Sequence, residues 1–86
     1  MSSHEQQPAW SGGIDADRYW DASGLSCAQL LVRLNRLFAT ELLPGQTLLF
    51  RATSEAVFMD IEAWCGLTGH ELLHENPPIF VIRKKD

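Results

Sequence analysis

Two segments of the sequence repeat apolar residues at the spacing of an amphipathic helix. The first covers residues 28–41, and its apolar face has Leu31, Leu34 and Phe38 at the centre and Leu30 and Leu37 at the margins. The second covers residues 55–65, and its apolar stripe consists of Phe58, Ile61 and Cys65, with Val57 and Trp64 on either side. A helix with one apolar face buries that face against another element, so both segments are predicted to pack on a common core.

Four short segments are instead typical of strands, because they alternate apolar and polar residues or are rich in aromatic and branched side chains. They cover residues 18–22, 46–52, 70–75 and 79–83. In the second of these, Leu48, Phe50 and Ala52 point to one side of the strand and Leu49 points to the other. The last two segments are joined by Asn76-Pro77-Pro78 alone, and a connection that short requires an antiparallel hairpin.

The order of these elements predicts an α/β fold, β-α-β-α-β-β. Each of the first two connections contains a helix, so strands one and two, and strands two and three, are expected to run parallel. Right-handed crossovers place both helices on the same face of the sheet. We therefore predict a two-layer sandwich, with a four-stranded mixed sheet on one side and two helices on the other.

Residues 1–17 differ from the rest of the chain, because they are rich in serine, glutamine, glycine and acidic residues. We predict a flexible N-terminal tail over residues 1–17 and a single folded domain over residues 18–86. Trp10 allows two interpretations within this tail. It is either a loosely held aromatic residue, or an anchor that docks the tail on its own domain or on a partner.

Composition narrows the classes of function. The chain has 86 residues, seven Lys and Arg against 11 Asp and Glu, and a net charge of −4, which disfavours a nucleic-acid-binding protein. Its two cysteines form no disulfide framework. It shows neither a secretory signal nor the ~20 consecutive apolar residues that a membrane span needs. We expect a cytoplasmic monomer with reduced thiols, without a membrane or direct nucleic-acid partner.

The strongest candidate for chemistry is Cys27, because of the local structure predicted around it. Gly24 allows a turn after the first strand, and Ser26-x-x-Gln29 fits the capping box that begins a helix. Cys27 would then be the first helical residue, where the free N–H groups and the helix dipole favour a thiolate. We therefore predict a lowered pKa for this thiol. The alternative is a small buried residue that closes a loop.

Other residues are candidates for supporting roles. Arg33 and Arg36, on the polar face of the first helix, form either a docking surface beside Cys27 or an ordinary solvated surface. Ser54 can cap the second helix, and its loop should lie beside the loop of Cys27, at the carboxyl edge of the parallel strands. Cys65 is predicted to belong to the core.

A metal site is not expected. His70 and His74 are four residues apart, but along a strand this spacing separates them by roughly 13 Å, which is too far to share an ion.

The segment from Trp20 to Cys27 resembles the signature of the TusA (SirA-like) sulfurtransferase family, in which a strand ends in Leu-Asp-x-x-Gly-x-x-Cys-Pro-x-Pro. The resemblance covers about residues 18–85. It continues downstream through Pro44-Gly45, Asp60-Ile61, Cys65 and Gly69-His70-Glu71-Leu72. Ala28 and Leu30 occupy the two proline positions, and Ser54 stands where many members carry Asp. Proline is compatible with the first turn of a helix, so we expect the fold to tolerate proline at both positions.

This resemblance implies the same fold, with the fourth strand inserted between the second and third. It also implies a sulfur carrier that holds persulfide sulfur on Cys27 and needs no cofactor or metal. The donor would be a cysteine desulfurase or a rhodanese-like protein, and the acceptor would serve tRNA thiolation, cofactor synthesis or sulfur oxidation. The binding surface around Cys27 is expected to include Gly24, Ser26, Gln29, Arg33, Arg36 and Ser54.

Two other functions remain open from the sequence. The absence of both prolines favours an interaction or regulatory module that has kept the fold but lost the chemistry. An RNA-binding domain is the third possibility, since the C-terminal domain of bacterial translation initiation factor three has the same architecture. That possibility rests on fold analogy alone, and the acidic net charge opposes it.

Overall fold

The computed structural model describes residues 7–86. After a short 3-10 helix at Ala9–Ser11, its elements are β1 Arg18–Asp21, α1 Cys27–Thr40, β2 Thr47–Arg51, α2 Glu55–Thr68, β3 Glu71–Asn76 and β4 Ile79–Arg83. The predicted order β-α-β-α-β-β is confirmed, and so is the α/β class.

The four strands form one mixed sheet in the order β1-β2-β4-β3. β1 pairs with β2 in parallel, and β4 pairs antiparallel with both β2 and β3. β2 and β3 therefore run in the same direction, with β4 inserted between them, as the resemblance implied. This topology brings the ends of β1 and β2 to one edge of the sheet, where both helices begin.

The main core lies between the sheet and the two helices. Its largest fully buried side chains are Phe50, Phe80, Leu30, Leu34, Leu48, Ile61, Ile82 and Val57. The buried stripe of α1 differs by one position from the predicted one, because Leu30 is fully buried and Leu31 only half-buried. Leu30, Leu34 and Phe38 follow an exact i, i+4 spacing, which places them in one row along the helix.

α2 continues to Thr68, three residues beyond its predicted end. Gly66 stays inside the helix, and Gly69 ends it with a left-handed φ of 85°. The Gly69 N–H donates to the carbonyl of Cys65 at 2.9 Å, which satisfies one of the last free carbonyls of the helix. Cys65 is buried, as predicted.

The face of the sheet opposite the helices is also partly covered. The 3-10 helix at Ala9–Ser11 lies against β2, and Leu49 is fully buried although it points away from the main core. Asp17 and Thr47 exchange hydrogen bonds, with the Thr47 N–H donating to Asp17 Oδ2 at 2.8 Å. Residues 7–17 of the predicted tail thus contact the domain, and residues 1–6 lie outside the described part of the chain.

Candidate functional site

Cys27 begins α1 at the carboxyl edge of the sheet. Gly24 makes the turn after β1 with a φ of 87°, a conformation that favours glycine. Ser26 Oγ accepts the Gln29 N–H at 3.3 Å, and Gln29 Oε1 accepts the Ser26 N–H at 3.1 Å. The predicted capping box is confirmed, and Cys27 is the first helical residue.

Asp21 organises the loop that leads to Cys27. Its Oδ1 accepts the Ser23 hydroxyl at 2.5 Å and the Ser23 N–H at 3.1 Å, and its other oxygen lies 3.9 Å from Arg51. The two bonds from Ser23, followed by the charge of Arg51, lower the pKa of this carboxyl below its ordinary value. The loop between β1 and α1 is therefore held to the end of β1 by the side chain of Asp21.

The loops after β1 and β2 are neighbours, as the topology predicted. The Gly24 N–H donates a long hydrogen bond to the hydroxyl of Thr53 at 3.4 Å, and the Ala22 N–H donates to the carbonyl of Arg51 at 2.9 Å. Thr53 lies in the loop after β2, directly before the N-cap residue of α2. Its hydroxyl provides one of the contacts between the two loops.

The closest polar partner of Cys27 is Asp60, in the second turn of α2. The Cys27 thiol donates a hydrogen bond to Asp60 Oδ2, and both side chains are half-buried. Asp60 entered the sequence analysis only through the family resemblance and was not assigned to the site. The sequence did contain an indication that Asp60 lies on the packed side of α2, because it follows Val57 by three residues and precedes Trp64 by four. A carboxylate in such a position needs a polar partner.

The predicted lowering of the Cys27 pKa is wrong, because the pKa of this thiol is raised. The main cause is the hydrogen bond to Asp60, which requires the thiol proton, followed by burial and by repulsion from the Asp60 charge. A carboxylate in contact carries a full negative charge, whereas the end of a helix offers about half a positive charge. The resting form of Cys27 is therefore the thiol.

The second cysteine is chemically distinct from the first. Cys65 is 7% exposed, and its pKa is raised to about 11, mainly by burial and then by the charge of Glu75. A thiol with so little exposure and so high a pKa is a poor nucleophile in the folded protein. Cys65 is a core residue, and Cys27 is the accessible thiol of the pair.

Arg33 and Arg36 lie on the exposed face of α1. Arg33 is exposed and borders a shallow depression of about 300 Å³. The depression is lined by Leu25, Ala28, Gln29, Val32 and Arg33. Arg33 and Arg36 also border a groove of about 270 Å³ between α1 and the edge strand β1. Both arginines thus border concave surfaces along α1, and Cys27 is not among the residues that line them.

Ser54 occupies the N-cap position of α2, but its hydroxyl makes no capping bond. The Val57 N–H instead donates to the backbone carbonyl of Ser54 at 3.1 Å. The prediction of its position is confirmed, and the prediction of side-chain capping is wrong. A helix can begin without a side-chain cap when its first N–H groups face water.

His70 lies among aromatic side chains. His70 packs against the rings of Phe38 and Trp64, with centroids 4.7 and 5.2 Å away. Its Nδ1 accepts the Lys85 N–H at 3.1 Å, and burial, followed by the charges of Lys84 and Lys85, lowers its pKa. Over residues 7–86, no three His, Cys, Asp or Glu side chains come together as metal ligands.

One further property concerns membranes. Within the described part of the chain, no helix combines the length and the apolar character that crossing a bilayer requires.

Comparison with known proteins agrees with this geometry. No curated protein matches the chain. The family model described as Sulfurtransferase TusA matches residues 18–84. This match covers β1 through β4, including the strand, turn and helix that carry Cys27 and the helix that carries Asp60. It extends over far more than half of the sequence, and the chain therefore belongs to the TusA sulfurtransferase family.

Proposed function

We propose that this protein is a sulfur carrier in which Cys27 receives persulfide sulfur from a donor protein and passes it to an acceptor protein. The observation that supports this role is the position of Cys27. It is the accessible thiol at the edge of a small domain, inside the segment that matches the family. A thiol at such an edge can enter the active site of another protein.

The transfer balances without an external oxidant or reductant. The sulfur of Cys27, as a thiolate, attacks the outer sulfur of a donor persulfide, R–S–SH. A new S–S bond forms on Cys27, the S–S bond of the donor breaks, and the donor leaves as R–S⁻. That thiolate takes up the proton that Cys27 released. The second transfer, to the acceptor, uses the same substitution at the outer sulfur of the Cys27 persulfide.

The donor in this proposal is a cysteine desulfurase or a rhodanese-like protein of the cytoplasm. The exposed faces of α1 and α2 suit a protein partner, because they combine the arginines of α1 with exposed apolar side chains. Val32 on α1 is 64% exposed and Met59 on α2 is 80% exposed. Such apolar residues become favourable contacts when a partner removes them from water. The acceptor, whether in tRNA thiolation, cofactor synthesis or sulfur oxidation, stays open.

A second candidate is an interaction or regulatory module without sulfur transfer. It is favoured by Ala28 and Leu30 at the two proline positions of the family motif, and by the protonated resting state of Cys27. In this case the same surface would bind a partner, and Cys27 would serve only to begin α1.

Mass spectrometry of the intact protein separates the two candidates. The protein is incubated with a cysteine desulfurase and cysteine, or with a rhodanese and thiosulfate, and the addition of one sulfur atom is measured. We expect loading on the wild type and on Cys65→Ala, and none on Cys27→Ala. Failure with every donor, in a protein shown to be folded, would reject the carrier and favour the interaction module.

A further inference from the structure

The carboxylate of Asp60 has an unusual position among the charged groups of the protein. The ion pairs within residues 7–86 join Arg18 to Glu41, Arg51 to Asp21 and Arg83 to Glu71. None of them includes Asp60. Its one side-chain partner in the described part of the chain is the thiol of Cys27. Within residues 7–86, a half-buried carboxylate that pairs with no cation is therefore coupled directly to the candidate nucleophile.

The surface beside Asp60 is apolar or made of small side chains. Met59 precedes it in α2 and is 80% exposed, and Ala56 and Ala63, one turn away on either side, are exposed as well. A protein that covers this surface removes water from Asp60. A carboxylate that loses water without gaining a cation is strongly disfavoured, so a well-matched partner has to bring a positive charge.

We infer that Asp60 is a positioning residue that restrains Cys27 by accepting a hydrogen bond from its S–H group in the free protein, and that a docked sulfur-transfer partner releases the thiol by pairing a lysine or arginine with Asp60. This inference rests on the proposed function for the identity of the partner. Its first half concerns the free protein and holds independently of any sulfur transfer.

The other charged groups near the thiol do not replace Asp60 in this role. On the β1 side, Asp21 is occupied by Ser23 and Arg51. Glu55 lies in the first turn of α2 and Arg33 lies on the exposed side of α1. When a cation pairs with Asp60, the hydrogen bond to the thiol weakens and the repulsion that opposes a thiolate falls. Cys27 can then lose its proton, which passes to the departing donor thiolate.

The first test measures how fast iodoacetamide alkylates Cys27 of the free protein as a function of pH, with peptide mapping to identify the modified residue. In Asp60→Asn, the midpoint of the pH dependence of Cys27 alkylation should move to lower pH. Each pH unit of this shift raises the thiolate fraction at about pH 7 roughly tenfold. Glu62→Gln is the matched control, because it removes one carboxylate charge from the exposed side of the same helix, and it should leave the midpoint unchanged.

The same experiment shows whether Asp60→Asn is folded. Cys65 should remain unmodified in folded Asp60→Asn, so early alkylation of Cys65 would identify a variant that has opened. In that event Asp60→Glu, which keeps the charge, replaces it and should retain a raised midpoint. A folded Asp60→Asn with the midpoint of the wild type, or equal shifts in Asp60→Asn and Glu62→Gln, would overturn the inference.

The second test supplies the cation within the chain. Ala63→Lys places an ammonium group three residues after Asp60, a spacing at which opposite charges meet on a helix surface. It should lower the alkylation midpoint of Cys27, and most of this effect should disappear when Asp60→Asn is present in the same protein. Ala39→Lys, on an exposed position of α1, is the control for added charge. If Ala63→Lys lowered the midpoint by as much in Asp60→Asn as in the wild type, the cation would not act through Asp60 and the inference would be refuted.

These measurements also separate the inference from the proposed function. Alkylation uses no sulfur donor, so a clear effect of Asp60→Asn together with no sulfur loading would reject the carrier and keep the restraint by Asp60. Normal sulfur loading, with no effect of Asp60→Asn on alkylation, would reject the restraint and keep the carrier.

Discussion

The indole N–H of Trp64 donates a 2.9 Å hydrogen bond to the side-chain oxygen of Asn35 and so joins α2 to α1. Asn35 lies about two turns after Cys27, and Trp64 lies about one turn after Asp60. The Cys27–Asp60 and Asn35–Trp64 hydrogen bonds therefore connect the same two helices, the first at the site and the second further along both helices. The Trp64 ring is 7% exposed and packs edge-on against Phe38 at 5.2 Å, which fixes the position from which Asp60 reaches the thiol.

We predict that Asn35→Ala lowers the free energy of unfolding by about 1–3 kcal/mol, because the buried indole N–H of Trp64 loses its partner. Urea denaturation followed by tryptophan fluorescence measures the change. Arg36→Ala, at the next and exposed position of α1, is the control and should change stability by less than about 0.5 kcal/mol. Equal stability of Asn35→Ala and the wild type would show that the bond contributes nothing to holding the helices together.

The two N-cap serines provide a matched pair. Ser26→Ala removes a side-chain oxygen that accepts the Gln29 N–H and should cost about 1 kcal/mol of stability. Ser54→Ala removes a hydroxyl that makes no capping bond, so its cost should be clearly smaller. Thermal and urea denaturation of both variants under one set of conditions gives the comparison. A larger loss from Ser54→Ala would contradict the observed difference between the caps.

The two motif positions should respond differently to proline, because they differ in burial and in the use of their backbone N–H groups. Ala28 is exposed in the first turn of α1, where proline costs no helical hydrogen bond. Leu30 is fully buried, and its N–H donates to the carbonyl of Ser26 at 2.9 Å. Leu30→Pro removes both the bond and the packing and should cost about 3 kcal/mol or more.

Circular dichroism during urea denaturation tests this contrast. Ala28→Pro should keep the stability of the wild type or exceed it slightly, because proline restricts the unfolded chain. The sulfur-loading assay on the same variant then shows whether a proline next to Cys27 changes the choice of donor. A destabilised Ala28→Pro together with an intact Leu30→Pro would mean that the first turn of α1 is placed incorrectly.

The two thiols should titrate in a definite order. The thiolate is the reactive form, and a raised pKa means that the reactive form appears only at higher pH. Alkylation of Cys27 should therefore begin above the pH typical of a free cysteine, and Cys65, with a pKa of about 11 and a buried side chain, should follow only at still higher pH or on unfolding. Peptide mapping after alkylation across a pH series measures both. Modification of Cys65 first, in the folded protein, would reverse the roles given to the two cysteines.

Most of the fold followed from the sequence, because its determinants are local. Apolar residues at helical spacing predicted the two helices, and the short link through Asn76-Pro77-Pro78 required a hairpin between the last two strands. The capping box of Ser26 and Gln29 involves residues three positions apart, so the start of α1 at Cys27 could be read directly from the chain. The position of β4 within the sheet was different, since it came only from the family resemblance.

The chemical state of Cys27 was decided by the tertiary structure alone. The sequence determined that a thiol stands at the N-terminus of a helix, and the dipole of that helix favours a thiolate. Asp60 lies 33 positions away, and only the packing of α2 beside α1 brings its carboxylate to the thiol. A full charge in contact outweighs the partial charge of a helix end, and such a contact is set by tertiary packing, which no local pattern contains.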